Sequence, residues 1–400
     1  MKPNKHDIPK SRPATNQRLA VVDALRGFAI VSIMLLHNIE HFDLYFVPKD
    51  LPLWMPALDQ KIWDTLFFLF GGKSYAIFAL LFGLTYYIQS ERQAEKGSDF
   101  RLRFAWRLLL LLGFGIVNSA FYQGDILSNY ALIGFFMLPF VRLTDKQLLG
   151  IVVILMLQPV LLYGFFDAIV HPATMLKVPT SWAYFGKMNE YVTGSSLLRT
   201  IVGNLTNGKI GVLYWNWENG RVFQTLALFL LGIWMGRKSA FALTDANKGF
   251  WKMSLGVAAL AYIALFVLRS KTETLGLGVV ARGFAQTIAT SWVNMAMMWI
   301  WVSVFVLLYQ TKLVGAWLGF LEPMGRMSLS NYMMQSVIGS SLYYGFGLGL
   351  YRFTGSAYAV AIGLGLAILQ GLLSTWWMRG HKQGPLETLW HKATWWGAKG

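Results

Sequence analysis

Between residues 20 and 378 the chain returns repeatedly to apolar runs of about twenty residues, the length an α-helix needs to cross the hydrocarbon core of a bilayer. Segments of this kind are read at 20–40, 62–89, 104–121, 126–143, 147–168, 222–238, 250–269, 284–310, 328–346 and 355–378. In lipid only helices or closed barrels can pair all their backbone polar groups. Runs this long and continuous therefore predict an all-α integral membrane protein of about ten transmembrane helices. Gly71-Gly72-Lys73 interrupts the second run, so a kink or break is expected there.

Composition excludes the main alternatives. Charged residues are 14% of the chain and the mean hydropathy is +0.46, whereas soluble domains carry about 25% charge. So few charges cannot cover a globular surface, and 16% aromatics with recurrent apolar runs exclude a disordered chain. With no cysteine there is no disulfide, thiolate nucleophile or Cys-based metal site, and no metal is expected. The net charge of +16 does not point to nucleic acid, because the basic residues cluster in the short segments between apolar runs.

If residues 1–19 form a cytoplasmic tail and the spans alternate, Lys and Arg favour the inner segments by about two to one, as the positive-inside rule expects. This layout gives a single polytopic domain over 20–378, a cytoplasmic tail at 379–400 and a long outer loop at about 169–221. That loop is rich in Trp and Tyr, which suits interfacial helices or a lid over an outward site.

Ionisable groups inside a bilayer are costly and ask for a reason. The first helix carries Asp23, Arg26, Ser32, His37, Asn38 and Glu40. Arg26 and His37 are eleven residues apart, so they share a face about 16 Å apart along the axis, and Asp23 is placed to pair with Arg26. An imidazole there can serve as a general base, with Glu40 or Asp125 to orient it. The bland reading is a histidine satisfied by a nearby carbonyl, above a structural Asp23–Arg26 pair. Proton- or anion-coupled transport through Asp23, Arg26, His37 and Lys73 is a third reading, and a non-catalytic membrane scaffold a fourth.

Other candidates follow the same logic. Arg101, Arg103 and Arg107 make a basic patch with aromatic neighbours, suited either to phosphates or to anionic lipid. Lys73 sits in the expected break, where it would meet a carboxylate such as Asp64 or a negative ligand group. Asp125 opens a helix, where it reads either as a dipole-stabilised charge or as a partner of His37. Ser328, Asn331, Tyr332 and Gln335 recur at helical spacing as a polar stripe, which binds substrate or holds helices together.

Five blocks, D-A-L-R-G-F-A-I, K-S-Y-A-I-F-A-L-L-F-G, G-D-I-L-S-N-Y-A, G-R-M-S-L-S-N-Y-M-M-Q-S and G-P-L-E-T-L-W, run in order along the chain. With them the sequence resembles the YeiB-like family of bacterial membrane proteins. It also looks like a relative of the transmembrane acyltransferase group, which includes the acyltransferase-3 proteins and heparan-glucosaminide N-acetyltransferase. The acyltransferase-3 proteins carry R-x(10)-H in their first helix, matched by Arg26 and His37. Their phenylalanine-rich block is echoed at Phe78 to Gly83, and their arginine-rich run at Arg101, Arg103 and Arg107. The chain departs from them at 72–83 and in its C-terminus. The resemblance implies a transmembrane-acyltransferase-like bundle in the bacterial cytoplasmic membrane, both termini cytoplasmic. It implies acyl transfer from acyl-CoA, most simply acetyl-CoA, to an unknown sugar, glycan or small-molecule acceptor. His37 would be the base, with Arg26, Lys73, Arg101, Arg103 and Arg107 holding the donor. The partners it implies are the lipid bilayer and acyl-CoA, with a homodimer compatible.

Overall fold

A computed structural model describes residues 19–48, 51–172 and 178–397. The expected N-terminal tail, apart from residue 19, and the last three residues of the C-terminal tail lie outside them. Helices are the regular elements of the described residues, with no strand among them. The first part of the chain forms α1 (Ala20–Ile39), α2 (Met55–Phe70), α3 (Ser74–Ala94), α4 (Arg101–Phe121), α5 (Leu127–Met137), α6 (Asp145–Met156) and α7 (Pro159–Val170). Four short helices follow in the long loop: α8 (Thr180–Phe185), α9 (Asn189–Val192), α10 (Leu197–Gly203) and α11 (Lys209–Glu218). The remainder comprises α12 (Arg221–Arg237), α13 (Asp245–Lys271), α14 (Val279–Tyr309), α15 (Lys312–Leu318), α16 (Glu322–Arg326), α17 (Ser328–Tyr343), α18 (Ser356–Gly380) and α19 (Pro385–Thr394).

Among the described residues six stretches are long and apolar enough to cross a membrane, or seven if the bent pair α6–α7 is one span. This is an all-helical protein of the bilayer. The expected spans at 126–143, 222–238 and 328–346 fall on shorter elements. They are the 11-residue α5 with a 3-10 turn at Leu138–Arg142, the 17-residue α12 and the 16-residue α17. A count of ten therefore does not follow from helix length.

Two interruptions have clear causes. The run expected at 147–168 bends by 43° between α6 and α7. Pro159 opens α7, and Gln158 before it takes a left-handed conformation, φ 55°. Proline supplies no N–H and disfavours helical geometry in the residue ahead of it. The expected break near Gly71 is present: α2 ends at Phe70, Gly72 takes φ +76° and α3 begins at Ser74.

The core forms where α1 and α3 meet α12. Of the apolar stretch of α1, 72% is buried, against 11% for α13. α1 is thus a central post and α13 a peripheral helix. Phe82 of α3 packs on Phe229 of α12 with ring centroids 4.6 Å apart. Two glycines let these backbones close up. A Cβ on Gly83 would stand 1.8 Å from the Phe229 carbonyl oxygen, and one on Gly232 2.0 Å from that of Leu80. In a bilayer, where apolar tails remove the hydrophobic drive between helices, close approach at small residues carries much of the association.

Gly83→Ala should therefore cost at least about 1–3 kcal/mol. Gly113→Ala, where nothing lies within 4 Å of the added carbon, should be neutral. Thermal unfolding of both variants in detergent checks this, and equal midpoints would contradict the close crossing.

Candidate functional site

The last turn of α1 holds most of the chemistry. The His37 ring is half-buried. Its Nδ1 is sealed from solvent without a hydrogen-bond partner. The ring lies 4.6 Å from Tyr122, 5.5 Å from Phe42 and 6.5 Å from Tyr332, centroid to centroid. It thus stands among aromatic faces, and among the described residues no carbonyl pairs with its Nδ1.

After α1 the backbone hooks sharply. His41, Phe42, Asp43 and Tyr45 all have positive φ, from 47° to 69°. Such geometry is costly for residues with a Cβ and persists only when the surroundings enforce it. Here the Phe42 N–H donates to the His37 carbonyl at 2.8 Å. The Phe42 side chain is fully buried, and its ring fills the space beside Gly339 where a Cβ would come within 1.9 Å. The hook turns two carboxylates back over the helix end. Glu40 accepts from the Tyr45 hydroxyl at 3.1 Å and Asp43 from the Tyr122 hydroxyl at 3.2 Å. Burial, then the neighbouring Asp43, push the Glu40 carboxyl above its ordinary range, and burial does the same to Asp43. His41 is buried, its Nε2 lies 3.1 Å from the Thr354 hydroxyl and its ring 4.9 Å from Tyr343.

The long loop roofs this nest. Met188, Tyr191 and Val192 share an apolar cluster with Phe42, Tyr122, Tyr343 and Tyr344. The Tyr191 hydroxyl donates to Gln123 at 3.0 Å, and the Gly345 N–H donates to the Val192 carbonyl at 2.8 Å.

The remaining predicted site residues are placed elsewhere. Asp125 is fully buried and caps α5. It accepts from the Ser128 N–H and hydroxyl at 2.9 and 2.7 Å and from Asn118 at 3.0 Å, with the Lys209 ammonium 3.5 Å away. Its bonds thus go to these groups and not to His37. Arg26 pairs with Asp23 at 2.8 Å, as the spacing predicts, and donates to the Thr85 hydroxyl at 2.6 Å. Lys73 donates to the Phe67 carbonyl at 3.3 Å, while Asp64 accepts from Gln60.

The polar stripe divides. Tyr332 accepts from the Ile126 N–H and faces His37. Asn331 donates to the Met324 carbonyl and the Ser374 hydroxyl, and Gln335 donates to Gln370, which ties α17 to α18. Ser328, at the start of α17, joins neither group.

The arginine patch at the other end of the bundle is packed against the C-terminal helix. Arg103 donates to the Thr394 carbonyl at 2.9 Å and lies over Trp395. Arg107 donates to the Thr394 hydroxyl at 3.3 Å and lies 4.0 Å over Trp390. Arg101 forks onto Asp99 on the surface. That arginine fork, above all, holds the Asp99 carboxyl down to about 2. Glu387 of α19 caps α17, accepting from the Leu329 N–H at 2.7 Å and the Ser330 hydroxyl at 2.6 Å.

Sequence reasoning missed Asp43, Tyr122 and His41. The dense run H-N-I-E-H-F-D was the available signal, but its hooked backbone cannot be read from spacing.

These features define a helical multi-pass membrane protein with a polar, aromatic nest at one end of its central helix. Residues 235–397 match the family described as "Protein of unknown function (DUF418)". The chain is 29% identical over 401 residues to the uncharacterized protein YxaH of Bacillus subtilis (strain 168), covering 95% of each. It is 28% identical to the uncharacterized protein YeiB of Escherichia coli (strain K12), covering 94% of this chain and 96% of that one. An uncharacterized 39.9 kDa protein in the amylase 3′ region of Bacillus acidopullulyticus is 26% identical over 386 residues. These likenesses support the resemblance to the YeiB-like family. No solved structure matches it.

The buried acids set a pH dependence. A carboxyl raised on folding binds its proton more tightly in the native state, so stability falls as pH rises above the ordinary carboxylate value of about 4.3. The thermal midpoint in detergent should fall from about pH 5 to about pH 8, and Glu40→Gln should flatten that fall. A wild-type midpoint that does not change over this range would show the pair to be solvated.

Proposed function

We propose that the protein is a membrane-embedded acyltransferase that uses acyl-CoA, with His37 as general base. The observation that carries the reading is the His37 imidazole, held among aromatic rings with its Nδ1 buried and unpartnered, against Tyr122, which donates to Asp43 of the hook. A buried polar atom left unpaired is expensive, and such a cost is tolerated where a substrate completes the site. The imidazole takes the proton of an acceptor hydroxyl or amine as that atom attacks the thioester carbonyl. The carbon–sulfur bond breaks and the CoA thiolate leaves. Tyr122, bonded to Asp43, braces the ring.

On this reading the donor approaches at the arginine end of the bundle. Arg103 and Arg107 already hold α19, so the CoA phosphates engage Arg101 first and compete with α19 for the other two. Relay transport gains no comparable support, because Arg26 and Lys73 are engaged with Thr85, Asp23 and the Phe67 carbonyl rather than with His37.

His37→Gln keeps polarity but cannot accept the proton, so turnover should fall by about 10²–10⁴ while expression and melting are retained. Arg101 can be removed without unseating α19, so Arg101→Ala should weaken CoA binding by about tenfold, the loss of one charge-assisted contact. Full turnover in His37→Gln removes the base. Unchanged CoA titration in Arg101→Ala leaves the arginines as an anchor for the C-terminus.

The same reading sets both termini and the 95–99 turn in the cytoplasm of a bacterial cell, with the 169–221 loop outside. The chain has no native cysteine, so a Glu95→Cys protein should resist an impermeant maleimide in intact cells. Labelling from outside would invert the topology.

A further inference from the structure

Away from the His37 nest, a cavity of about 680 Å³ opens between α12, α13 and α14. Arg221, at the start of α12, and Arg269, in the last turn of α13, both line it. The facing wall is α14, a helix that is otherwise largely apolar. There Gln286, Thr287, Thr290, Ser291 and Asn294 recur at helical spacing and turn a strip of hydroxyl and amide groups into the cavity. Such a strip on a membrane helix usually finds a helix partner, but here it borders open space. The ion pairs of the described residues include neither arginine. The one carboxylate in the lining, Glu273, leaves it with net positive charge.

The arginine is positioned rather than merely present. Arg221 lies 4.4 Å over the Tyr75 ring and 5.4 Å from Trp215. At Gly72, with φ +76°, a Cβ would come within 3.2 Å of the Arg221 guanidinium and 2.6 Å of the Asn294 amide nitrogen. The bare backbone of the α2–α3 break therefore lets these two groups converge. Depth points to the lipid headgroups. α14 has 31 residues, about 46 Å of helix against a hydrocarbon core of about 30 Å, and Arg269 with Lys271 closes α13 as interfacial cations do.

We infer that this cavity binds a phosphate group, carried by an anionic lipid headgroup or by a free phosphate ester. Two guanidinium forks suit tetrahedral phosphate oxygens, and the α14 hydroxyls and amides suit the polar body that bears them. The site is independent of acyl transfer at His37, and either can fail without the other.

The test uses the full chain in phosphatidylcholine nanodiscs, with and without phosphatidylglycerol. Inorganic phosphate is titrated against tryptophan fluorescence, to which Trp215 beside Arg221 contributes, and retained lipid is counted by native mass spectrometry. Saturable phosphate binding in pure phosphatidylcholine identifies a free phosphate ester as the ligand. Selective retention of phosphatidylglycerol, unaffected by phosphate, identifies a lipid headgroup. In either case Arg221→Gln and Arg269→Gln should each weaken binding about tenfold or more. Arg352→Gln, outside the cavity, should not. Arg269 is exposed, so its variant keeps the test open if Arg221→Gln fails to fold. Absence of both signals in wild type, or an Arg269→Gln protein that binds as wild type does, overturns the assignment.

Discussion

In hydrocarbon a backbone N–H or C=O without a partner costs several kcal/mol, and the architecture of this protein follows from that constraint. The chain stays helical wherever lipid would surround it. It leaves helical geometry at the hook of residues 41–45, the break at 71–73 and the bend at 157–158. Each departure is met by other parts of the protein on one side, while Tyr45 and Leu157 stay exposed. The hook is roofed by the long loop, the break abuts Arg221 and Asn294, and Gln158 is fully buried beside Gly220. Two of the three also border the candidate sites. Irregular backbone in a membrane protein is tolerated where protein or a polar cavity receives it.

Close packing and charge divide the remaining work. Glycines at the α3–α12 crossing let those backbones touch, and Gly27 and Gly325 do the same where α1 meets residues 321–325. The buried charges then act largely as structure. Asp125 caps α5, Glu387 caps α17 and Arg103 with Arg107 clamps α19. Two features are used differently here: the His37 imidazole, whose Nδ1 is buried without a partner, and Arg221 with Arg269, which line the cavity of α12–α14 outside any ion pair of the described residues. The functional proposals rest on these.

Much of the fold was legible from residue order. Apolar length set the helical class, Gly71-Gly72-Lys73 set the break, and the three-residue spacing set the Asp23–Arg26 pair. His37 was legible as a polar residue deep in an apolar run. Residue order also determined that no cysteine chemistry is available and that most charge lies between spans. Tertiary structure alone decided the partners. Asp125 and His37 look like neighbours in a list of buried polar residues, yet Asp125 is spent on the N–H groups of α5. Asp43 and Tyr122 are seventy-nine positions apart and become hydrogen-bonded only because the hook folds back onto α4. The arginine patch could not be known to grip α19, since the contact joins residues nearly three hundred positions apart. Helix formation depends on local backbone pairing and side-chain periodicity, which sequence displays. The pairing of polar groups between helices depends on rotation, depth and close approach, which are set only when the whole bundle packs.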